Sequence, residues 1–191
     1  MRLGVLGGTF DPPHVGHLVL AQRALEQLAL ERVFWVPAGE PWRKADQPVT
    51  ASGHRLALVR LAVGDEPAFA VSTVDLDRAG PSYSVDTLDE LSRRHSGSEL
   101  FLLLGRDALA DLPNWHEPER LVSLATLAVA GRAGSAQEVA LPEGARVVVV
   151  EMPRIDVSAT ELRERAARGL SLRYLVPDAV ATYIQEQGLY R

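Results

Sequence analysis

Short apolar runs alternate with longer amphipathic segments through the first 150 residues of the chain. Each run is almost continuously hydrophobic and is bounded by polar, glycine or proline residues. This pattern is typical of strands that are buried on both faces of a parallel sheet. The predicted strands are Leu3–Leu6, Val33–Val36, Ala70–Val74, Leu100–Leu104, Leu127–Ala130 and Val147–Val150.

The segments between these runs carry a helical repeat. In the first of them, Leu18, Ala21, Leu25 and Leu28 recur at three and four residues, which predicts one buried helix face. The predicted helices are Leu18–Leu30, Gly53–Val63, Ser84–Arg94 and Glu117–Leu124. Strands that alternate with helices in this way predict an α/β fold, a Rossmann-like doubly wound parallel sheet with right-handed crossovers.

The pattern changes after residue 154. Ser158–Arg168 and Asp178–Glu186 predict two further helices without a strand between them, with Gly169 as the stop of the first and Pro177 as the start of the second. We therefore expect a single domain over residues 1–191. Its α/β core would span residues 1–154, and a small helical appendage over residues 155–191 would close over the carboxyl edge of the sheet.

Composition limits the partners of this domain. The net charge of −5 is unlike that of a nucleic-acid binder, so no nucleic-acid partner is expected. The chain has no cysteine, which excludes disulfides and thiolate sites and fits a cytoplasmic protein. Its N-terminus resembles a core strand rather than a signal peptide, and no apolar stretch reaches the length of a membrane span. We expect a cytoplasmic protein of small-molecule substrates, and a homo-oligomer is compatible with this composition.

The segment Gly7–His17 lies between the first predicted strand and the first predicted helix. A glycine turn at this place lets a phosphate approach the backbone amides, and Thr9 offers a hydroxyl. His14 and His17 share one helical face at the positive end of the helix dipole. The segment therefore favours a nucleoside triphosphate, although it matches neither the Walker A spacing nor the dinucleotide fingerprint. Phe10 is interpreted as a packing residue, Asp11 as a helix cap or a turn-holding residue, and Gly16 as room for an adenine ring.

A second candidate phosphate site begins the first C-terminal helix, at Val157–Arg163. Ser158 is predicted to cap that helix, with Glu161 in the capping-box position. The free amides of the first turn and the Arg163 guanidinium would then face an anion.

These two segments resemble the (T/H)xGH and ISxTxxR signatures of the nucleotidyltransferase superfamily. Within it, the chain looks most like the bacterial nicotinate mononucleotide adenylyltransferases over nearly its whole length. The blocks that carry this resemblance are Val36–Lys44, Pro81–Leu88, Leu104–Asp107, Leu112–Trp115 and Tyr174–Pro177. The chain departs from the family pattern at Trp42 and Arg43, which replace Pro-His, and at His116, where Tyr is common, whereas Lys44 is kept.

The resemblance implies a reaction in NAD biosynthesis. The 5′-phosphate of nicotinate mononucleotide attacks the α-phosphorus of ATP, and deamido-NAD and pyrophosphate are formed. The implied catalytic residues are His14, His17, Lys44 and Arg163. The implied ATP contacts are Gly7, Gly8, Thr9, Phe10, Gly16, Gly105, Asp107, Val157, Ser158 and Thr160. The implied mononucleotide contacts are Lys44, Tyr83, Thr87 and Trp115. Mg²⁺ is expected on the ATP phosphates, without protein ligands of its own.

Three alternatives remain open at this point. The first is an adenylyl- or cytidylyltransferase for another phosphorylated acceptor, such as phosphopantetheine. The second is a nucleotide-binding scaffold without turnover, and the third is a fragment of a class I tRNA synthetase. The pairs His54-Arg55 and Arg93-Arg94 are interpreted as solvated helix faces.

Overall fold

Six parallel strands form one sheet in the computed structural model, which describes residues 1–44, 48–132 and 139–191. The strands are β1 (Arg2–Gly8), β2 (Arg32–Pro37), β3 (Phe69–Val71), β4 (Glu99–Leu104), β5 (Thr126–Gly131) and β6 (Val147–Glu151). Their order in the sheet is β3-β2-β1-β4-β5-β6, and every neighbouring pair is parallel. The predicted α/β fold with a parallel sheet is confirmed.

Helices cover both faces of this sheet. They are α1 (Val15–Gln27), α2 (Ser52–Val63), α3 (Val74–Asp77), α4 (Ser84–Arg94), α5 (Arg106–Asp111), α6 (Pro118–Leu124), α7 (Ala159–Ala167) and α8 (Asp178–Glu186). Trp42–Lys44 and Leu112–Asn114 form short 3₁₀ helices. Along β4, Leu102 faces the cluster that holds Leu88 of α4 and Leu121 of α6, whereas Phe101 faces the cluster that holds Ala21 of α1. The continuous apolar character of β4 follows from this two-sided burial.

Two predicted elements have wrong boundaries for identifiable reasons. The predicted strand Ala70–Val74 ends early because β3 stops at Val71 and Val74 begins helix α3, where it is also buried. The predicted helix Leu18–Leu30 begins three residues earlier, since His14 occupies the N-cap position. It also ends sooner, because Ala29 adopts a left-handed backbone with φ of 47°. Helix α5 was not predicted from the sequence, because its six residues bury Leu109 alone.

The C-terminal helices pack on α2 rather than on a face of the sheet. Leu162 of α7 and Val180 and Ile184 of α8 share one apolar cluster with Leu58 of α2. Within residues 152–191, all of which the structure describes, no strand separates α7 from α8. The Leu175 carbonyl accepts a hydrogen bond from the Val15 amide at 3.0 Å, which ties this part of the chain to the start of α1. Among the described residues, no helix combines the length and the hydrophobicity that a membrane crossing requires.

Candidate active site

A cleft of about 1260 Å³ opens at the carboxyl ends of the strands. It lies where β1 and β4 are neighbours and the strand order reverses, which is the usual place for a ligand in an open parallel sheet. The predicted site residues that line it are Gly7, Gly8, Thr9, His14, Gly16, His17, Thr87, Gly105, Asp107, Trp115, Val157 and Ser158. Among the described residues, Phe10, Tyr83, Thr160 and Arg163 are not part of its lining. The side chain of Lys44 lies outside the described part of the chain.

One wall of the cleft, which we call the histidine wall, is formed by the N-termini of α1 and α7. The rings of His14 and His17 lie 3.8 Å apart between centroids. Nδ1 of His17 accepts a hydrogen bond from the His14 backbone amide at 3.2 Å, so the proton of its neutral ring is on Nε2. Burial lowers the pKa of His14 to about 4, because the charged imidazolium would lose its hydration. The His14 imidazole is therefore neutral near pH 7, and the His17 ring presents its Nε2–H as a donor.

The structure gives Gly16 a role that differs from the predicted one. A Cβ atom at this position would lie 3.1 Å from two atoms of the His14 ring, closer than ordinary van der Waals contact. Glycine therefore lets the His14 imidazole lie directly against the first turn of α1. Gly16 also lines the cleft, and its contact with an adenine ring stays a prediction.

Phe10 packs beneath the histidine wall. Its side chain is 2% exposed, and its ring contacts those of Trp35 and His17 at 5.5 and 5.1 Å between centroids. The backbone of Phe10 is left-handed, with φ of 52°. The ring of Phe10 is therefore a packing group, as the sequence predicts.

Arg55 holds the loop below the wall, and its interpretation as a solvated residue is wrong. Its side chain is 1% exposed, and its guanidinium donates to the carbonyl oxygens of Thr9, Ala38, Gly39 and Thr50 at 2.6–3.0 Å. These carbonyls belong to the loop after β1, the loop after β2 and the start of α2. The guanidinium therefore joins three segments that the sequence places far apart. Arg93 and Arg94, in contrast, are exposed as predicted.

Asp11 is the buried counter-charge of Arg55. Its carboxylate is 3% exposed and accepts hydrogen bonds from the Thr50 amide at 3.1 Å and from the Tyr190 hydroxyl at 2.7 Å. Its interpretation as a helix cap is wrong, since His14 occupies the N-cap of α1. The carboxylate holds the loop to residues from elsewhere in the chain.

The start of α7 completes the histidine wall. The Ser158 hydroxyl accepts a hydrogen bond from the Glu161 amide at 3.2 Å, which confirms the predicted cap. Arg163 points away from the cleft. Its guanidinium donates to the Asp11 carbonyl at 2.9 Å and to the Thr160 hydroxyl at 3.3 Å. In this conformation Arg163 joins the two candidate phosphate sites to each other.

The opposite wall, which we call the tryptophan wall, contains Thr87 and Trp115. The Thr87 hydroxyl donates to the Asp75 carboxylate at 2.6 Å, and burial raises the pKa of that carboxyl. The Ser82 hydroxyl accepts from the amides of Gly39 and Glu40 at 2.9 and 3.2 Å. A Cβ atom on Gly39 would lie 2.3 Å from the Asp75 carbonyl oxygen, so this packing requires glycine.

Side chains from three segments meet around Trp115. The indole N–H donates to the Asp111 carboxylate at 3.0 Å, and the Arg43 guanidinium forms an ion pair with the same carboxylate. This network positions the indole ring at the edge of the cleft. Arg43 is one of the departures from the family pattern, and the structure gives it a partner.

The other two departures meet at Tyr83. The His116 ring stacks on the Tyr83 ring at 4.0 Å between centroids, with an interplanar angle of 23°. Trp42 packs against Tyr83 at 5.7 Å. Tyr83 is therefore enclosed by other aromatic rings, and its predicted direct contact with a mononucleotide would have to form beside them.

Sequence reasoning missed basic residues of the cleft. Arg106, Arg132 and Arg154 line it and follow β4, β5 and β6 respectively. Arg154 forms an ion pair of 2.9 Å with Asp156, which lines the cleft beside it. The sequence could have indicated these arginines, because residues that follow parallel strands lie at the carboxyl edge of the sheet.

Comparisons with known proteins identify the family and the fold of this chain. The model of the cytidylyltransferase-like family matches residues 5–165. A protein of Thermomicrobium roseum, named "probable nicotinate-nucleotide adenylyltransferase", is 46% identical over 100% of this chain and 92% of its own length. A protein of Thermus thermophilus with the same name is 46% identical over 100% of both chains. The solved structure of Plasmodium falciparum nicotinic acid mononucleotide adenylyltransferase with NaAD superposes with a TM-score of 0.79, at 16% identity and with coverage of 99% of this chain and 97% of that one.

Proposed function

Since the chain belongs to the cytidylyltransferase-like family, we propose that it is a nicotinate-nucleotide adenylyltransferase. It transfers AMP from ATP to nicotinate mononucleotide, with deamido-NAD and pyrophosphate as products. The observation that carries the proposal is that one cleft joins two helix N-termini suited to phosphates with a wall that presents Trp115 and Thr87. The choice of acceptor is supported by relatives of this name that are 46% identical over the whole chain.

The chemistry needs positioning and charge rather than a protein nucleophile. An oxygen of the mononucleotide 5′-phosphate attacks the α-phosphorus of ATP in line, a new P–O bond forms, and the bond to pyrophosphate breaks. Reacting groups that are held in line gain most of their rate from this arrangement. Gly7 and Gly8, which lie at the end of β1 rather than in the predicted turn, and the first turn of α7 would hold the two ends of the phosphate chain, with further donors at Thr9 and Ser158.

The histidine wall would stabilise the negative charge that moves to the leaving pyrophosphate. Nε2–H of His17 is a fixed donor, because the backbone amide of His14 occupies the other ring nitrogen. His14 is held neutral by burial, and a bound triphosphate beside it would favour its protonated form. Lys44 would add a positive charge. Arg163, which does not line the cleft and donates to the Asp11 carbonyl, would have to change its conformation to reach a phosphate oxygen.

The remaining proposed contacts with ATP involve residues at or near the carboxyl edge of the sheet. Gly105 and Asp107 follow β4 and line the cleft, where the Asp107 carboxylate is suited to a ribose hydroxyl. Gly16, Val157 and the backbone of Phe10 would contact the ATP moiety, and Thr160 would act through Arg163. Arg106, Arg132 and Arg154 add positive charge on the same side.

The tryptophan wall would select the acceptor. The Trp115 indole, held by Asp111, would stack on the pyridine ring. The Thr87 hydroxyl is engaged by Asp75, and the Thr87 and Trp115 amides donate to the Tyr83 and Leu112 carbonyls. Other backbone amides near these two residues would therefore hold the nicotinate carboxylate. The ring of Tyr83, which stacks on that of His116, would support the tryptophan wall.

Mg²⁺ fits this arrangement as an ion bound to the substrate. Such an ion keeps most of its water ligands and needs few from the protein. When it is bound to the phosphates of ATP, it neutralises part of their charge. We further propose that the protein works in the cytoplasm, because its two proposed substrates are metabolites of that compartment.

The test is pyrophosphate release from ATP and Mg²⁺ with three acceptors: nicotinate mononucleotide, nicotinamide mononucleotide and phosphopantetheine. The proposal expects rapid release with the first, together with formation of deamido-NAD. Release with phosphopantetheine alone would replace the proposed acceptor with another phosphorylated substrate. ATP binding without release with any acceptor would favour a nucleotide-binding scaffold.

A further inference from the structure

We propose that Tyr190 is a positioning residue for adenylyl transfer, because its hydroxyl holds the loop that carries His14 and His17. This inference rests on the proposed function and deepens it. Tyr190 lies outside the cleft, and its action would pass through Asp11. The loop is defined here as Thr9–His17 and is called the signature loop.

Tyr190 and Thr50 together hold the carboxylate of Asp11. The Tyr190 hydroxyl donates to Oδ1 at 2.7 Å, and the Thr50 amide donates to Oδ2 at 3.1 Å. Neither donor belongs to the signature loop, so each oxygen of this buried carboxylate links the loop to a different part of the fold. Burial and the neighbouring Asp11 carboxylate raise the pKa of Tyr190, so its hydroxyl is protonated and donates near neutral pH.

The backbone is constrained on both sides of this hydrogen bond. Tyr190 adopts a left-handed conformation with φ of 66°, and Phe10, the residue before Asp11, does so with φ of 52°. Bulky side chains rarely adopt this conformation, and it persists where the surrounding contacts determine it. The hydroxyl and the carboxylate are therefore brought together with little freedom at either end.

Asp11 is connected rigidly to the histidines. Only Pro12 and Pro13 separate it from His14, and both prolines are buried and have a fixed φ. The Asp11 carbonyl is also the acceptor for Arg163 of α7. A shift of Asp11 would therefore move both imidazoles and the contact between the two phosphate sites, while the tryptophan wall would stay in place.

Tyr183 provides a matched control in the same part of the chain. Its hydroxyl forms a hydrogen bond of 2.9 Å with Nδ1 of His54, which joins α8 to α2 without contact with the signature loop. Tyr190→Phe and Tyr183→Phe each remove one phenolic hydroxyl and keep the ring. If both hydroxyls only stabilise the fold, the two substitutions should lower kcat equally. If Tyr190 positions the signature loop, Tyr190→Phe should lower kcat more than Tyr183→Phe.

The experiment measures kcat, both KM values, the Kd of ATP and the melting temperature for the two full-length variants. Tyr190→Phe should lower kcat by roughly tenfold, since small misplacements of reacting groups cost large factors in rate. It should weaken ATP binding and leave the KM of the mononucleotide within about twofold. Tyr183→Phe should leave kcat within about twofold. Equal losses of kcat in both variants, or an unchanged kcat in Tyr190→Phe, would overturn the proposal.

Two further measurements separate this inference from the proposed function. ATP should slow amide exchange over residues 187–191 of the wild-type protein, although these residues do not line the cleft. Asp11→Asn and Tyr190→Phe should each weaken ATP binding. The loss of binding free energy in the double variant should be smaller than the sum of the losses in the two single variants. Both readouts work without an acceptor, so they remain decisive if nicotinate mononucleotide is not a substrate. If Tyr190→Phe does not fold, unchanged exchange in the wild type with ATP would overturn the role of Tyr190.

Discussion

The histidine wall is held by backbone groups and buried charge, whereas the tryptophan wall combines a buried hydrogen bond between Thr87 and Asp75 with side-chain contacts nearer the surface around Trp115. Below the first, Arg55 is 1% exposed and binds four carbonyl oxygens. On the second, the side chains of the Arg43–Asp111 pair are 45% and 26% exposed. Buried charged networks fix one geometry, while partly exposed pairs contribute little energy and tolerate substitution.

This difference matches what each wall would do. The same phosphate transfer is required for any acceptor, so the wall that performs it benefits from rigid placement. Recognition of a particular acceptor depends on a few side chains, and these can change without disturbing a backbone network. Three departures from the family pattern, Trp42, Arg43 and His116, lie on the tryptophan wall or next to it.

The largest expected effect comes from removing the charge below the histidine wall. Arg55→Met should lower the free energy of unfolding by about 4 kcal/mol, because it leaves Asp11 without its counter-charge and four carbonyl oxygens without a donor. Denaturant unfolding measures this loss. Arg60→Met removes an exposed arginine from the same helix and should change stability by no more than about 0.5 kcal/mol. Equal losses in the two variants would contradict the role given to Arg55.

The next effect is a dependence of stability on pH through His14. Its pKa is lowered from 6.5 to about 4 in the folded protein, so between these values the unfolded chain binds a proton that the folded chain does not. Stability should therefore fall as the pH drops from 6.5 to 4, by about 3 kcal/mol in total from this group.

Unfolding of the wild type and of His14→Asn across this pH range isolates the contribution. The raised pKa of Asp75 acts with the opposite sign, since it stabilises the fold at low pH, but it is present in both proteins and cancels in the comparison. Parallel stability curves for the two proteins would show that His14 does not titrate in this way.

His17→Ala should have a smaller effect in free energy than the two changes above, but it should lower kcat strongly. Removal of one fixed donor to the leaving pyrophosphate should lower kcat by at least roughly a hundredfold, with little change in the KM of the mononucleotide. Steady-state kinetics with both substrates varied measures it. His17→Asn, which keeps a polar side chain, should lie between the wild type and the alanine variant. Unchanged turnover in His17→Ala would remove His17 from the mechanism.

The smallest expected effect concerns the tryptophan wall. Trp115→Ala should raise the KM of the mononucleotide about tenfold and leave that of ATP nearly unchanged, because stacking on an aromatic ring contributes about 1–3 kcal/mol. Trp115→Phe keeps a ring but loses the hydrogen bond to Asp111, and should show a smaller increase. A fall in melting temperature without a selective change in KM would identify Trp115 as a packing residue.

The sequence by itself determined the strands, most of the helices and the segments at which a phosphate could bind. These features depend on the period of apolar residues and on short motifs such as Gly7–His17, which a reader of the chain can see locally. Five of the six strands were predicted to within two residues at each end. The Ser158 cap was also predictable, since its partner Glu161 is three residues away.

The tertiary structure alone decided how those segments are held. Arg55 could be read as a solvated residue because its partners lie on other loops, and Asp11 as a helix cap because Tyr190 is 179 residues away along the chain. Arg163 likewise meets the Asp11 carbonyl across 152 residues. A periodic pattern reports the neighbours of a residue in sequence, whereas the burial of a charge depends on partners that only the packed fold brings within hydrogen-bond distance.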